Sequence, residues 1–365
     1  MPIKNLHAKA FDEGTIVKLE LFEEYAKAWL PTFIMSQYKE IWIFDFFAGT
    51  GYDIDGNPGS PIRLLQQIKN QIGPIFQHKI RINLCINEFE PKKYQQLVQS
   101  CNDYLEKNQD VKRAISIYYK NCDFAELFPK TLSTIQRFPS LVYLDQNGIK
   151  FAADKYILEL EQTDTTDFLF FISSSYIWRF GDTPAFQDCL HIDMAKAKEN
   201  PYKYIHTSIL EQFKDKLPKE TKLTLYPFTI KKGKNIYGII FGAKHPRAVD
   251  KFLKTAWEVN EINGAANFDI DEDNAKQQLD IFEGKRLSKI ESFYQTLRAK
   301  VLSGELKDNQ AVFHFALSEG HLGKHASDEI KRMKKEGLLD YPEKAPLINY
   351  EQIYKNQRQV TFTLK

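Results

Sequence analysis

Long apolar runs are missing from this 365-residue chain. No stretch reaches the roughly 18 consecutive apolar residues that a membrane-spanning helix needs, so no membrane partner is expected. Cysteine is scarce. Cys85, Cys101, Cys122 and Cys189 lie far apart and form no C-x-x-C pair, which argues against a disulfide framework and a thiolate zinc site and fits a reducing, cytoplasmic setting. Neither sign of charge is in excess, with 50 Lys plus Arg against 48 Asp plus Glu. This excludes a uniformly basic nucleic-acid coat and leaves room for a local basic face. Gly (17) and Pro (15) are too few for a disordered or collagen-like chain. The amino-terminal residues carry acids and no apolar block, unlike a secretory signal. What is plentiful is apolar residues, 43% of the chain, enough for a sizeable core in one large or two unequal domains.

The first strong pattern is helical. Leu19, Phe22, Tyr25, Ala26, Trp29 and Leu30 fall on one face, and Pro31 is expected to end that helix. Ile41 to Asp45 is short and β-prone and reads as a buried strand. After a turn-rich stretch, Ser60-Pro61 reads as an N-cap followed by a proline at the first helical position. Further strands are expected at 80–87, 114–119, 141–145 and 168–173, with a helix from Pro91 to about Lys107. Strands alternating with helices predict β-α-β units in a parallel sheet. Two more β-like runs, 222–230 and 235–242, read as a hairpin at the sheet edge, and a helix is expected over 245–259. The polar, acidic stretch 264–285 reads as a linker. Beyond it, three helical patterns and two short strands suggest a small winged-helix-like domain over 286–365, with residues 1–263 as the main domain.

The chemistry concentrates at the ends of the expected strands. Asp45 closes the first, and Phe47-Ala48-Gly49-x-Gly51 follows, where glycines permit close backbone approach. The spacing Asp-x-x-x-Gly-x-Gly resembles motif I of class I S-adenosylmethionine-dependent methyltransferases. The resemblance implies that Asp45, Phe47, Ala48, Gly49 and Gly51 cradle the methionine part of S-adenosylmethionine. The second strand ends in Asn87-Glu88, where an acid is placed to accept from ribose hydroxyls; a solvated loop acid is the alternative. After the third strand, Asp123 is a candidate for the adenine amine and Phe124 for stacking on the ring, although Asp is also a preferred helix cap. Asp145, at the end of the fourth strand, is the candidate catalytic acid, or simply an acid that shapes the turn. Amine methyltransferases resemble one another here in Asp-Pro-Pro-Tyr or Asn-Pro-Pro-Tyr; this chain has Asp145-Gln146-Asn147-Gly148.

The resemblance extends further. Asp45, Phe47-Ala48-Gly49, Gly51 and Gly59-Ser60-Pro61 together resemble the signature of the three-Cys-motif partner protein family. His245, Pro246, Trp257 and Val259 are similar to that family's later His-Pro and Trp-x-Val stretch. The resemblance implies a class I methyltransferase-like, doubly wound, mostly parallel α/β sheet, and a partner protein bearing clustered cysteines.

Lesser candidates complete the reading. Ser60, Tyr176 and Arg179 are the expected substrate contacts, the latter two after the fifth strand, where aromatic residues also commonly pack. Asp53-x-Asp55-x-Asn57 begins like a calcium loop but lacks its glycine and its final glutamate, and His321 and His325 lack a metalloprotease frame, so no metal is expected. In the carboxy-terminal domain, Ala326, Ile330 and Met333 form a buried stripe, with Lys331 and Lys335 on the other face as candidate nucleic-acid contacts. The expected function is methyl transfer to a nucleic acid or nucleotide-like acceptor. A non-catalytic adaptor of the same fold and a winged-helix DNA-binding protein are the alternatives.

Overall fold

The alternation of extended and helical patterns builds, in the computed structural model, a seven-stranded sheet. The structure describes residues 10–146, 154–187, 191–276 and 287–365. Asn147, Gly148, Cys189 and the latter part of the expected linker lie outside the described residues. The chain divides into two compact units, Met1–Lys244 and His245–Lys365, so the helix over 245–259 falls in the second.

In the first unit the strands are β1 (Glu40–Asp45), β2 (Arg81–Asn87), β3 (Ile115–Lys120), β4 (Ser140–Leu144), β5 (Thr166–Ile172), β6 (Thr224–Lys232) and β7 (Asn235–Ala243). Their spatial order is β3-β2-β1-β4-β5-β7-β6. The first five run parallel, and β7 enters antiparallel between β5 and β6. This is the mostly parallel, doubly wound sheet that the sequence predicts, with its antiparallel hairpin at one edge. The direction of winding reverses between β1 and β4. In open α/β sheets the crevice at such a reversal, outside the carboxyl ends of the strands, is where ligands bind.

Side-chain alternation assigns the two faces. Phe44, Phe46, Val142, Leu144, Phe168 and Phe170 join Phe124, Phe128 and Tyr156 in one continuous apolar core. The opposite face is covered by α1 (Glu13–Ile34), where Phe22 stacks on Tyr143 at 3.9 Å and the Tyr25 hydroxyl donates to Asp167 at 2.7 Å. Pro31 does not end α1: the helix continues to Ile34, with Pro31 in its last turn and its carbonyl accepting from the Met35 N–H. A proline that late costs one hydrogen bond without breaking what little helix follows. The helix α2 (Ser60–Asn70) has Gly59, not Ser60, at its N-cap, with Pro61 in the first turn as expected.

The second unit opens with the helix Pro246–Val259, whose N-cap is His245. It continues with helices Lys289–Leu302, Asn309–Ser318 and Gly323–Lys335. Two short strands, β8 (Leu339–Asp340) and β9 (Thr363–Leu364), then pair antiparallel. Ala326, Ile330 and Met333 are fully buried, as their spacing predicts. The first part of the expected linker is ordered by Asn260 and Asn263, whose side-chain amides donate to the Phe268 carbonyl at 3.0 and 2.9 Å.

Candidate functional site

At the end of β1 the chain must turn sharply over the sheet. Gly49 (φ 66°) and Gly51 (φ 88°) make this turn in the left-handed region, which is strained for other residues. Gly51 is also fixed by packing. A Cβ there would lie 2.6 Å from the Cβ of Ser100 in the helix Pro91–Lys107, and the Ser100 hydroxyl donates to the Thr50 carbonyl at 2.9 Å. The excursion that follows is folded around Asp53, whose Oδ1 accepts from the backbone N–H groups of Asp55 and Asn57 and whose Oδ2 accepts from the Phe11 N–H at 2.7 Å. The chain returns at Gly59, whose N–H donates to the Gly51 carbonyl at 2.8 Å.

One residue later the Ser60 hydroxyl donates to Asp45 at 2.6 Å, and the Phe47 N–H donates to the other Asp45 oxygen at 3.2 Å. The acid, the two-glycine turn and the Gly-Ser-Pro element are therefore one hydrogen-bonded unit. Ser60 serves the carboxyl of Asp45 rather than capping its own helix.

Asp45 is completely buried. Burial raises its pKa, the bonds from Ser60 and Phe47 lower it, and nearby Asp145 and Glu88 raise it again, leaving it pushed up to about 7. No cation stands among the described groups that set this shift.

The loop faces a cavity of about 80 Å³ whose walls include Phe47, Ala48, Gly51, Gly59, Ser60 and Asp145. The opposite wall is the start of α1, contributing Asp12, Thr15, Lys18 and Leu19. Lys18 pairs with Asp145 at 2.5 Å, both side chains less than one-fifth exposed, and its ammonium sits 4.5 Å from the Phe171 ring centroid. Beside Asp145, Gln146 donates from its amide to the Phe171 carbonyl at 2.6 Å. Its Oε1, like the Tyr143 hydroxyl, is buried and makes no hydrogen bond among the described residues. Buried polar atoms are normally paired, so among the described residues these two stand out.

The remaining sequence-predicted residues fall as follows. Glu88 stands just past the end of β2, half-buried, accepting from the Glu90 N–H at 2.9 Å. Asp123 is the N-cap of the helix Phe124–Arg137, accepting from Ala125 at 2.8 Å. Phe124 is buried among Phe46, Phe47, Phe128 and Tyr156, so its ring belongs to the core. Tyr176 packs on Phe180 at 4.6 Å, while Arg179 is exposed and donates to the Ser175 carbonyl; neither lines the cavity. Lys331 and Lys335 are exposed in the second unit, Lys331 at 3.6 Å from Asp328. Burial pushes the thiols of Cys85 and Cys101 up to about 12, which makes them poor nucleophiles near neutral pH.

Two residues escaped the sequence reading. Lys18 carries a signal in hindsight: it precedes Phe22 and Tyr25 at i, i+4, i+7 on the buried stripe of α1, an odd place for an ammonium. Phe89, next to Glu88, is 60% exposed, and a large ring so open beside a strand end is the kind of surface that ligands cover.

No family model matches the sequence, and no curated protein matches it. Among solved structures, the O-methyltransferase TomG from Streptomyces achromogenes, crystallised with SAM, is 13% identical, with 64% of this chain and 89% of that one covered and a TM-score of 0.33. An O-methyltransferase from Bacillus cereus in complex with SAH is 12% identical, with 65% and 84% covered and a TM-score of 0.34. At these scores neither neighbour carries weight for what the chain does.

Proposed function

We propose that the chain is an S-adenosylmethionine-dependent methyltransferase with its cofactor seated against the Asp45–Gly51 loop. The observation that carries this reading is Asp45: a wholly buried carboxyl, pushed up to about 7, behind a two-glycine turn at the reversal point of the sheet. A ligand bearing an ammonium and a sulfonium answers the missing positive charge. The resemblance of Asp45, Gly49 and Gly51 to motif I of class I methyltransferases points the same way.

Bound there, S-adenosylmethionine would supply an electrophilic methyl group on its sulfonium. The chain's task is placement, which can lower a barrier by several kcal/mol. Phe47, Ala48 and Gly51 would form the floor, Glu88 would accept from the ribose hydroxyls, and the exposed Phe89 ring is better placed for adenine than the buried Phe124. Lys18 and Asp145 would hold the acceptor at the mouth, with the Oε1 of Gln146, which makes no hydrogen bond among the described residues, accepting its N–H or O–H. A nucleic acid or nucleotide-like group remains the proposed acceptor, the winged-helix-like second unit with Lys331 and Lys335 its proposed docking surface, and the cytoplasm its proposed location.

One observation favours a second reading. Lys18 engages both oxygens of Asp145, so that acid is not free to accept from an amine, and a cofactor-binding adaptor for a cysteine-bearing partner protein would need no such freedom. Calorimetric titration with S-adenosylmethionine tests the shared premise, and no heat from folded protein rejects both readings. Transfer of labelled methyl to DNA, RNA or protein then separates the enzyme from the adaptor.

A further inference from the structure

At the other end of the strands from Asp45, a second groove of about 370 Å³ opens between the helix Ile72–His78, the starts of β2 and β3, and the helix Gln109–Ala114. β2 alone spans roughly 20 Å at about 3.3 Å per residue, so this groove is well separated from the candidate methyl-transfer site.

Its chemistry is one-sided. Ile75, Ile80 and Ala114 are buried beneath it. Its rim carries three cations from three different elements: Lys79 after the helix, Arg81 opening β2, and Arg113 near the end of the second helix. No carboxylate is among the described residues that line the groove. None of the three has an ion pair among the described residues, whereas the half-buried cations Lys18 and Arg63 each have a carboxylate partner. Lys79 also occupies a left-handed position, φ 53°, where glycine would be relaxed. Beside them the Phe76 ring is 48% exposed. Convergent cations repel one another, so their unpaired presence in one concave, partly apolar surface suits an anionic ligand that also offers a flat face.

We propose that this groove binds a nucleoside phosphate, with the phosphate on Arg81, Arg113 and Lys79 and the base on Phe76. The source is either a free nucleotide or a unit of a single-stranded nucleic acid. An acidic peptide would satisfy the cations and leave Phe76 without a role.

The test is binding to the intact chain of four probes at low salt: adenosine monophosphate, a labelled single-stranded oligonucleotide, inorganic phosphate and poly-glutamate. Arg81→Gln with Arg113→Gln should weaken the nucleotide or the strand at least about tenfold, and lower the salt slope for a strand by about 0.7 per cation removed. Phe76→Ala should weaken the nucleotide and leave inorganic phosphate unchanged. These side chains are exposed, so circular dichroism should confirm an unchanged fold. Tighter binding of the strand than of the mononucleotide identifies a strand as the source, and the reverse a free nucleotide. Absence of nucleotide and strand binding, equal binding by the variants, or poly-glutamate binding that ignores Phe76 overturns the proposal. The outcome is independent of methyl transfer: Glu88→Ala should leave this groove's affinity untouched, and the arginine variants should leave S-adenosylmethionine binding untouched.

Discussion

Lys18 Nζ lies 2.7 Å from Oδ1 and 2.5 Å from Oδ2 of Asp145, joining the amino end of α1 to the end of β4 across 127 positions of sequence. The pair shuts one side of the cavity with charges that are mostly screened from solvent. Removing either partner would leave the other partly buried and unpaired, which is costly.

A double-mutant cycle measures that link. Lys18→Met and Asp145→Asn should each destabilise the first unit by about 1–3 kcal/mol, and the double variant should lose less than their sum. Urea denaturation supplies all four corners, and a coupling near zero contradicts a structural pair.

Asp45 makes stability depend on pH in a defined direction. Its folded-state pKa is raised from 3.8 to about 7, so its contribution is full below pH 4 and is lost as pH rises through 7, up to about 4 kcal/mol in all. Asp45→Asn keeps an acceptor for Ser60 and should flatten the stability profile between pH 4 and 7. A profile unchanged by this substitution would show the carboxyl to be ionised throughout.

The same group predicts proton linkage in binding. A cationic ligand beside Asp45 favours its ionised form, so S-adenosylmethionine affinity should rise between pH 6 and 8, with proton release detectable by calorimetry in buffers of different ionisation heat. Glu88→Ala should weaken affinity by about 1–3 kcal/mol, the scale of a lost charge-assisted hydrogen bond. Unchanged affinity removes Glu88 from the site.

Gly51→Ala should destabilise by about 1–3 kcal/mol, from both the left-handed φ and the approach to Ser100. Ser100→Gly removes the Cβ that the new methyl would meet at 2.6 Å and should restore part of the loss. If it restores none, backbone conformation alone sets the cost.

In the second unit, His321 stacks on Phe293 at 4.1 Å and its Nδ1 lies 3.4 Å from that of His325. Burial holds both imidazoles far below their usual range, at about 2 and about 4, with Lys289 nearby adding to the effect in both. Neutral imidazoles are therefore built in. Their contribution is present above pH 6.5 and drains away as pH falls, through 4 for His325 and on towards 2 for His321, of the order of 3 kcal/mol for His325 alone. Hydrogen exchange in the helix Lys289–Leu302 should accelerate over that range, and His321→Phe should suppress the acceleration.

The strands were legible because each is a short apolar run bounded by turn residues; most observed ends lie within two residues of expectation. Helix ends were less so. Pro31 reads as a stop, yet tertiary packing carries α1 one turn past it. Ser60 reads as a cap, yet the nearby Asp45 carboxyl is a stronger claimant for its hydroxyl. The cluster Asp45, Gly51, Gly59 and Ser60 was visible as a motif, but its hydrogen bonds link residues that no periodicity connects. Lys18 shows in the sequence only as an ammonium at an odd place on a buried stripe, and its partner Asp145 lies 127 positions away. Phe124 shows the opposite failure: an aromatic residue after a strand end carries no mark of whether it faces a pocket or the core.

The tie between the Phe11 N–H and Asp53 has a practical corollary. It anchors the stretch leading into α1 against the excursion after β1, making these early residues part of the cavity rim. Trimming them tampers with the entrance itself.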